Sequence, residues 1–114
     1  MYNIGMTFDL LPGSYPEYKQ AHDDLWPEIA ASMSDNNVDM AIFRFGEQLF
    51  LHATAPTQQD WDKSREHPAL VKWSDYMAKL LVTDDDGQIL FHMMEEAFVF
   101  GNFVPYVTVT KRDG

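Results

Sequence analysis

The sequence predicts an α+β fold in which two helical stretches cover one face of an antiparallel sheet. Three observations carry that expectation. Apolar and polar residues alternate strictly over residues 1–11, two further alternating runs at 38–45 and 49–55 are joined by a short connection, and helical stretches with capping signals separate the strand runs. The resulting order, β-α-β-β-α-β plus a tail, is the ferredoxin-like arrangement. At 114 residues the chain has room for one core, so residues 1–100 are read as a single domain and 101–114 as a C-terminal tail.

In the first run Tyr2, Ile4, Met6, Phe8 and Leu10 share one side, and Asn3, Gly5, Thr7 and Asp9 the other. Pro12 and Gly13 break it. Ser14 and Glu17 then have capping-box spacing, so a helix starts there and places Tyr18, His22 and Trp26 on one face at i, i+4 and i+8. Pro27 removes a backbone donor and kinks or restarts the helix before Glu28 to Met33, and Asp35-Asn36-Asn37 ends it. Val38 to Phe45 and Leu49 to Ala55 form a hairpin, with Met40, Ile42 and Arg44 on one face of the first strand and Phe50, His52 and Thr54 on one face of the second. Thr57 and Asp60 repeat the cap spacing, Pro68 marks a second helix start, and the helical stretch runs to about Leu81. Asp84-Asp85-Asp86-Gly87 is an acidic turn. Ile89 to Phe100 reads as a last long strand, and Val104 to Thr110 as an extra strand in the tail.

A ferredoxin-like sheet leaves one face bare, and a chain with 46% apolar residues must cover it. Pairing of two copies into a dimeric α+β barrel is the expected solution, with the tail adding to the partner's sheet edge. Eighteen acidic residues against eight basic ones give a net charge of -10, which argues against nucleic acid and anionic membrane surfaces as partners. No apolar run approaches the length of a membrane span, and the N-terminus does not read as a signal peptide. The absence of cysteine removes thiolate chemistry and fits a reducing compartment, so the expected location is the cytoplasm.

Histidine is the natural starting point for proton chemistry near neutrality. His22 lies between Tyr18 and Trp26, and the stripe reads either as an aromatic core face or as a proton donor flanked by a phenol and an indole. His52 shares a strand face with Phe50; His67 precedes Pro68 at a helix break; His92 is in the last strand. Acidic neighbours such as Asp23-Asp24 and Glu95-Glu96 point in different directions on a helix or strand, so no metal site is expected. Glu96, mid-strand between Met94 and Phe98, is the carboxylate best placed for a role. Trp26, Trp61 and Trp73, with Tyr18 and Tyr76, offer flat surfaces suited to the C–H faces of a sugar and equally suited to a core. No nucleophile elbow, phosphate-binding loop or dinucleotide fingerprint occurs.

The segment Tyr18-x-x-x-His22-x-x-x-Trp26-Pro27-Glu28, the hairpin with Ala41-Ile42, Trp73-x-x-Tyr76-Met77 and a final Glu96-x-Phe98 together resemble the L-rhamnose mutarotase family, over residues 2 to about 100. The resemblance implies a homodimer that interconverts the α and β anomers of an aldose with neither cofactor nor metal. It also implies that His22 is the proton donor and that Tyr18 binds the sugar. Two departures stand out: Met40 occupies the place of a sugar-binding tyrosine, and Lys72-Trp73 that of a tryptophan pair. Arg44, His52 and Lys72 are candidates for the missing polar contacts, with Trp26 and Glu96 completing the expected substrate-binding set. L-rhamnose or another 6-deoxy sugar such as L-fucose is the expected substrate. Two rival readings are a cofactor-free monooxygenase of the dimeric α+β barrel type and a sugar-binding module without chemistry.

Overall fold

A computed structural model describes residues 1–104. Strand β1 (Tyr2–Asp9) leads through two short helices, α1 (Tyr15–Asp23) and α2 (Pro27–Asp35), to β2 (Asp39–Phe45) and β3 (Gln48–Ala55). Helices α3 (Gln58–Ser64) and α4 (Ala69–Met77) follow, then β4 (His92–Met93) and a 3-10 turn at Gly101–Phe103. The sheet order is β2-β3-β1-β4 with every neighbouring pair antiparallel, which is the ferredoxin-like order.

Register explains the two faces. Ile4 pairs with Ala53, Met6 with Leu51 and Phe8 with Leu49, while Met40, Ile42 and Arg44 continue the same rows on β2. These side chains face the helices, and Ile4, Phe8, Leu49, Leu51 and Ala53 are buried there with Tyr18, Met77, Leu80 and Leu81. The opposite face carries Phe43, Phe45, Phe50 and His52, as the pairing of Phe43 with Phe50 and of Ala41 with His52 requires. Phe43 and Phe45 are 67% and 82% exposed, so the outer face is apolar and open along β2 in the single chain.

Local signals behave unevenly. Pro27 sits at the first position of α2, where its missing N–H costs nothing, and so restarts the helix. Thr57 accepts from the Asp60 N–H at 3.2 Å and caps α3. Gly46, at φ 62°, supplies the left-handed conformation of the two-residue loop between Phe45 and Gln48. Asp84 Oδ1 accepts from the N–H groups of Asp86 and Gln88 and closes the acidic turn.

The capping box at Ser14 does not form. Ser14 has helical backbone angles (φ -86°, ψ -10°) and makes no side-chain cap, and the second helical position is Pro16, which has no N–H to give. Glu17 instead accepts from the Tyr76 hydroxyl at 3.0 Å, tying α1 to α4.

The long strand expected over 89–100 is also much shorter. Only His92 and Met93 enter the ladder, extended by the Met94 N–H donating to the Gly5 carbonyl and by a bridge between Thr83 and Ile89. Alternation in sequence specifies a pleated segment but not a neighbour to pair with, and beyond Met94 the chain has no partner strand among the described residues. The 3-10 turn then lies against the outer face, where Asn3 Nδ2 donates to the Phe103 carbonyl and the Phe103 ring sits 5.2 Å from that of His52. The expected strand over 104–110 begins at Val104, which continues that turn as a bend, and otherwise lies outside the described residues.

Candidate active site

Between the helices and the inner sheet face runs a cleft with two overlapping halves of about 360 and 330 Å³. Met40 and Ile42 of β2 floor both halves, and Tyr18, His22, Arg65, Leu70 and Trp73 wall both. Arg44 borders the first half only. This size suits a small ligand, and its make-up of mostly apolar walls with a few polar groups is that of a binding site.

His22 is placed by α1. Its Nδ1 lies 2.8 Å from the carbonyl oxygen of Tyr18, one turn earlier, and a carbonyl only accepts, so Nδ1 carries the proton of the neutral ring. The tautomer leaves Nε2 with its lone pair. Burial lowers the His22 pKa, opposed by the hydrogen bond to Tyr18 and by the Asp23 charge, so the ring is neutral near pH 7. Aromatic rings fix its plane: the Tyr18 ring is 4.3 Å away at a tilt of 34°, and the Trp73 ring meets it edge-on at 5.1 Å. Burial pushes the Tyr18 phenol well above its ordinary range, so it remains a neutral hydroxyl that can both donate and accept.

Helix α4 sets Leu70, Trp73 and Met77 toward the cleft at i, i+3 and i+7. That spacing turns Lys72 outward. It is exposed and lies outside the cleft lining. Trp26 is likewise absent from the walls and packs edge-on behind Trp73 at 5.1 Å, with Tyr76 stacked beyond it at 6.4 Å. It supports the wall that Trp73 forms.

Arg44 stands at the rim, with its guanidinium 3.9 Å above the Tyr15 ring and its Nε donating to the Gly46 carbonyl at 2.7 Å. His52 and Glu96 do not join the site. His52 points from the outer sheet face, 3.4 Å from Asn3 Oδ1, because its register opposite Ala41 and Gly5 sets it on the side away from the helices. Glu96 follows the end of the β4 ladder and is exposed, since no strand holds the segment it belongs to. Of the nine residues expected at the site, Tyr18, His22, Met40, Arg44 and Trp73 meet in one cleft.

Sequence reasoning missed Arg65. It follows α3 directly, lies 4.7 Å over the Trp61 ring and walls both halves of the cleft. The i, i+4 spacing of Trp61 and Arg65 was the available signal. Among the described residues no group of three or more His, Cys, Asp or Glu side chains is arranged to hold a metal, and no helix is long and apolar enough to cross a membrane.

Comparison with known proteins converges on this arrangement. A family model described as L-rhamnose mutarotase matches residues 3–100. An L-rhamnose mutarotase of Shouchella clausii is 34% identical over 87 residues, which span 74% of this chain and 84% of that one. One from Flavobacterium johnsoniae is 30% identical over 95 residues, spanning 81% and 89%. The crystal structure of an L-rhamnose mutarotase from Formosa agariphila superposes with a TM-score of 0.74 at 25% identity, covering 89% of this chain and all of that one. A Nitrosomonas europaea structure, a candidate antibiotic biosynthesis monooxygenase, reaches a TM-score of 0.62 at 13% identity over 86% of this chain and all of that one, and so shares the fold alone. With a family match over residues 3–100 and relatives up to 34% identical across most of both chains, the chain belongs to the L-rhamnose mutarotase family.

Proposed function

We propose that this mutarotase acts on L-rhamnose or a closely related 6-deoxy aldose such as L-fucose, with His22 moving the proton. The observation that carries the proposal is the bond from His22 Nδ1 to the Tyr18 carbonyl, which reserves Nε2 for the sugar. In the neutral resting ring, Nε2 takes the proton from the anomeric hydroxyl. The oxyanion collapses to the aldehyde as the bond from the anomeric carbon to the ring oxygen breaks, and the imidazolium donates its Nε2 proton to that ring oxygen. After rotation of the aldehyde the steps reverse on its other face, and His22 ends as it began. Both oxygens sit on one carbon, so a single imidazole reaches both. No second base is required.

Tyr18, as a neutral hydroxyl, binds the sugar, while Trp73 and Met40 offer it apolar surface and Arg44 faces it from the rim. The chain functions as a homodimer through its outer sheet face, supported by the exposed Phe43 and Phe45. It works in the cytoplasm, a location supported by the lack of cysteine.

The test is anomer exchange followed by NMR saturation transfer on L-rhamnose and L-fucose. Wild-type protein accelerates exchange, and His22→Ala reduces it to the buffer rate while keeping its circular dichroism spectrum. Exchange by His22→Ala at the wild-type rate removes the assignment.

A further inference from the structure

Three of the eight basic residues of this strongly acidic chain border the first half of the cleft: Lys19, Arg44 and Arg65. Two of them are already engaged. Lys19 pairs with Asp23, and Arg44 donates to the Gly46 carbonyl and stands 3.7 Å from Glu47. Arg65 differs. Its Nε donates to Ser64 Oγ at 3.2 Å and its guanidinium stacks on Trp61, yet its Nη2 is buried with no hydrogen-bond partner among the described residues. It is the one buried side-chain nitrogen or oxygen among them left in that condition.

A buried donor without an acceptor is destabilising, and more so when it is part of a charged group. A side chain whose role was only to cover Trp61 would not need a charged fork held against a cleft. The guanidinium stacks on Trp61 and is anchored at Nε, and its Nη2 is covered and unbonded, so a small turn of the side chain toward the cleft lets both outer nitrogens meet two acceptors side by side. Adjacent hydroxyls on a pyranose ring present such a pair. Of the other side chains that line both halves, Met40, Ile42 and Leu70 give such oxygens nothing to bond, and Trp73 offers a single indole N–H.

We propose that Arg65 is a substrate-anchoring residue, donating through its outer guanidinium nitrogens to neighbouring ring hydroxyl oxygens of the aldose. The inference deepens the mutarotase reading and rests on it. Arg65 takes no part in proton transfer, so its removal weakens sugar binding and leaves the proton step to His22.

The experiment compares wild type, Arg65→Met and Arg65→Lys by saturation transfer over a range of L-rhamnose concentrations, then with 2-deoxy, 3-deoxy and 4-deoxy analogues. A hydrogen bond to a charged group corresponds to roughly a tenfold or larger effect. Arg65→Met is therefore expected to raise KM about tenfold with kcat within a factor of about two, and Arg65→Lys, which keeps the charge but loses the fork, to recover only part. The analogue lacking an anchored hydroxyl should lose affinity in wild type and little more in Arg65→Met. In wild type the Nε–Hε resonance of Arg65 should also move on addition of L-rhamnose, a readout independent of turnover and of whether either variant folds. A KM within twofold of wild type in Arg65→Met, or an Arg65 resonance that saturating sugar leaves in place, overturns the assignment even where wild type is fully active. Absence of accelerated exchange in wild type with every aldose instead overturns the mutarotase reading.

Discussion

The Nδ1 of His22 lies 2.8 Å from the Tyr18 carbonyl oxygen, so one turn of α1 fixes both the tautomer and the tilt of the ring. This helix-internal contact ties the proton-bearing group to the backbone of the residue whose phenol borders the same cleft. Both side chains are therefore positioned by the backbone of the same helix, α1.

The first prediction concerns pH. Burial lowers the His22 pKa below the ordinary histidine value, against the opposing pull of the Tyr18 hydrogen bond and Asp23 and with Lys19 adding to the lowering. With the neutral ring as the proposed catalyst, enzyme-dependent exchange should be flat around neutrality and fall only once the pH drops below that lowered value. Stability follows the same sign. The unfolded chain takes up the His22 proton first as pH falls, so the contribution of this group to folding is present above the ordinary histidine pKa and declines through the window between the two values. Exchange rates corrected for the spontaneous reaction, measured from pH 4 to 8, check the profile. A rate that rises on acidification through that window contradicts it.

A second prediction tests the cap that did form. Thr57 Oγ1 accepts from the Asp60 N–H, and Thr57→Ala removes it from an exposed helix start. The expected loss is about 1 kcal/mol, or a fall of roughly 4 °C in Tm for a chain of this size, read by thermal denaturation. Ser14→Ala should change Tm far less, since Ser14 caps nothing.

A third concerns the outer face. Phe43 and Phe45 project from β2 into solvent in the single chain and pair across the strands with Phe50 and Gln48. If two copies bury this face, Phe43→Glu with Phe45→Glu places charges in an apolar interface and should convert the protein to a monomer by analytical ultracentrifugation. A wild-type chain that sediments as a monomer at micromolar concentration would sink the dimer.

Much of this protein is written into local pattern. Alternation in β1, β2 and β3 divides each strand into two faces, Pro27 and Pro68 set where α2 and α4 begin, and the spacing of Tyr18 and His22 puts them on one face of α1. These are properties of a few consecutive residues, governed by the periods of helix and strand, and they hold wherever the element ends up. Which face is covered, and what meets across the gap, is a matter of register and packing between distant segments. Only the folded chain sends His52 to the outer face, turns Lys72 away from the cleft, leaves Glu96 beyond the end of a two-residue β4, and brings Arg65 from the end of α3 into the cleft lining with Met40. The sequence by itself determined β1, β2, β3, the helix starts at the prolines and the shared face of Tyr18 and His22. The tertiary structure decided which side chains share a cavity, because proximity between elements depends on strand pairing and helix placement that no local period encodes.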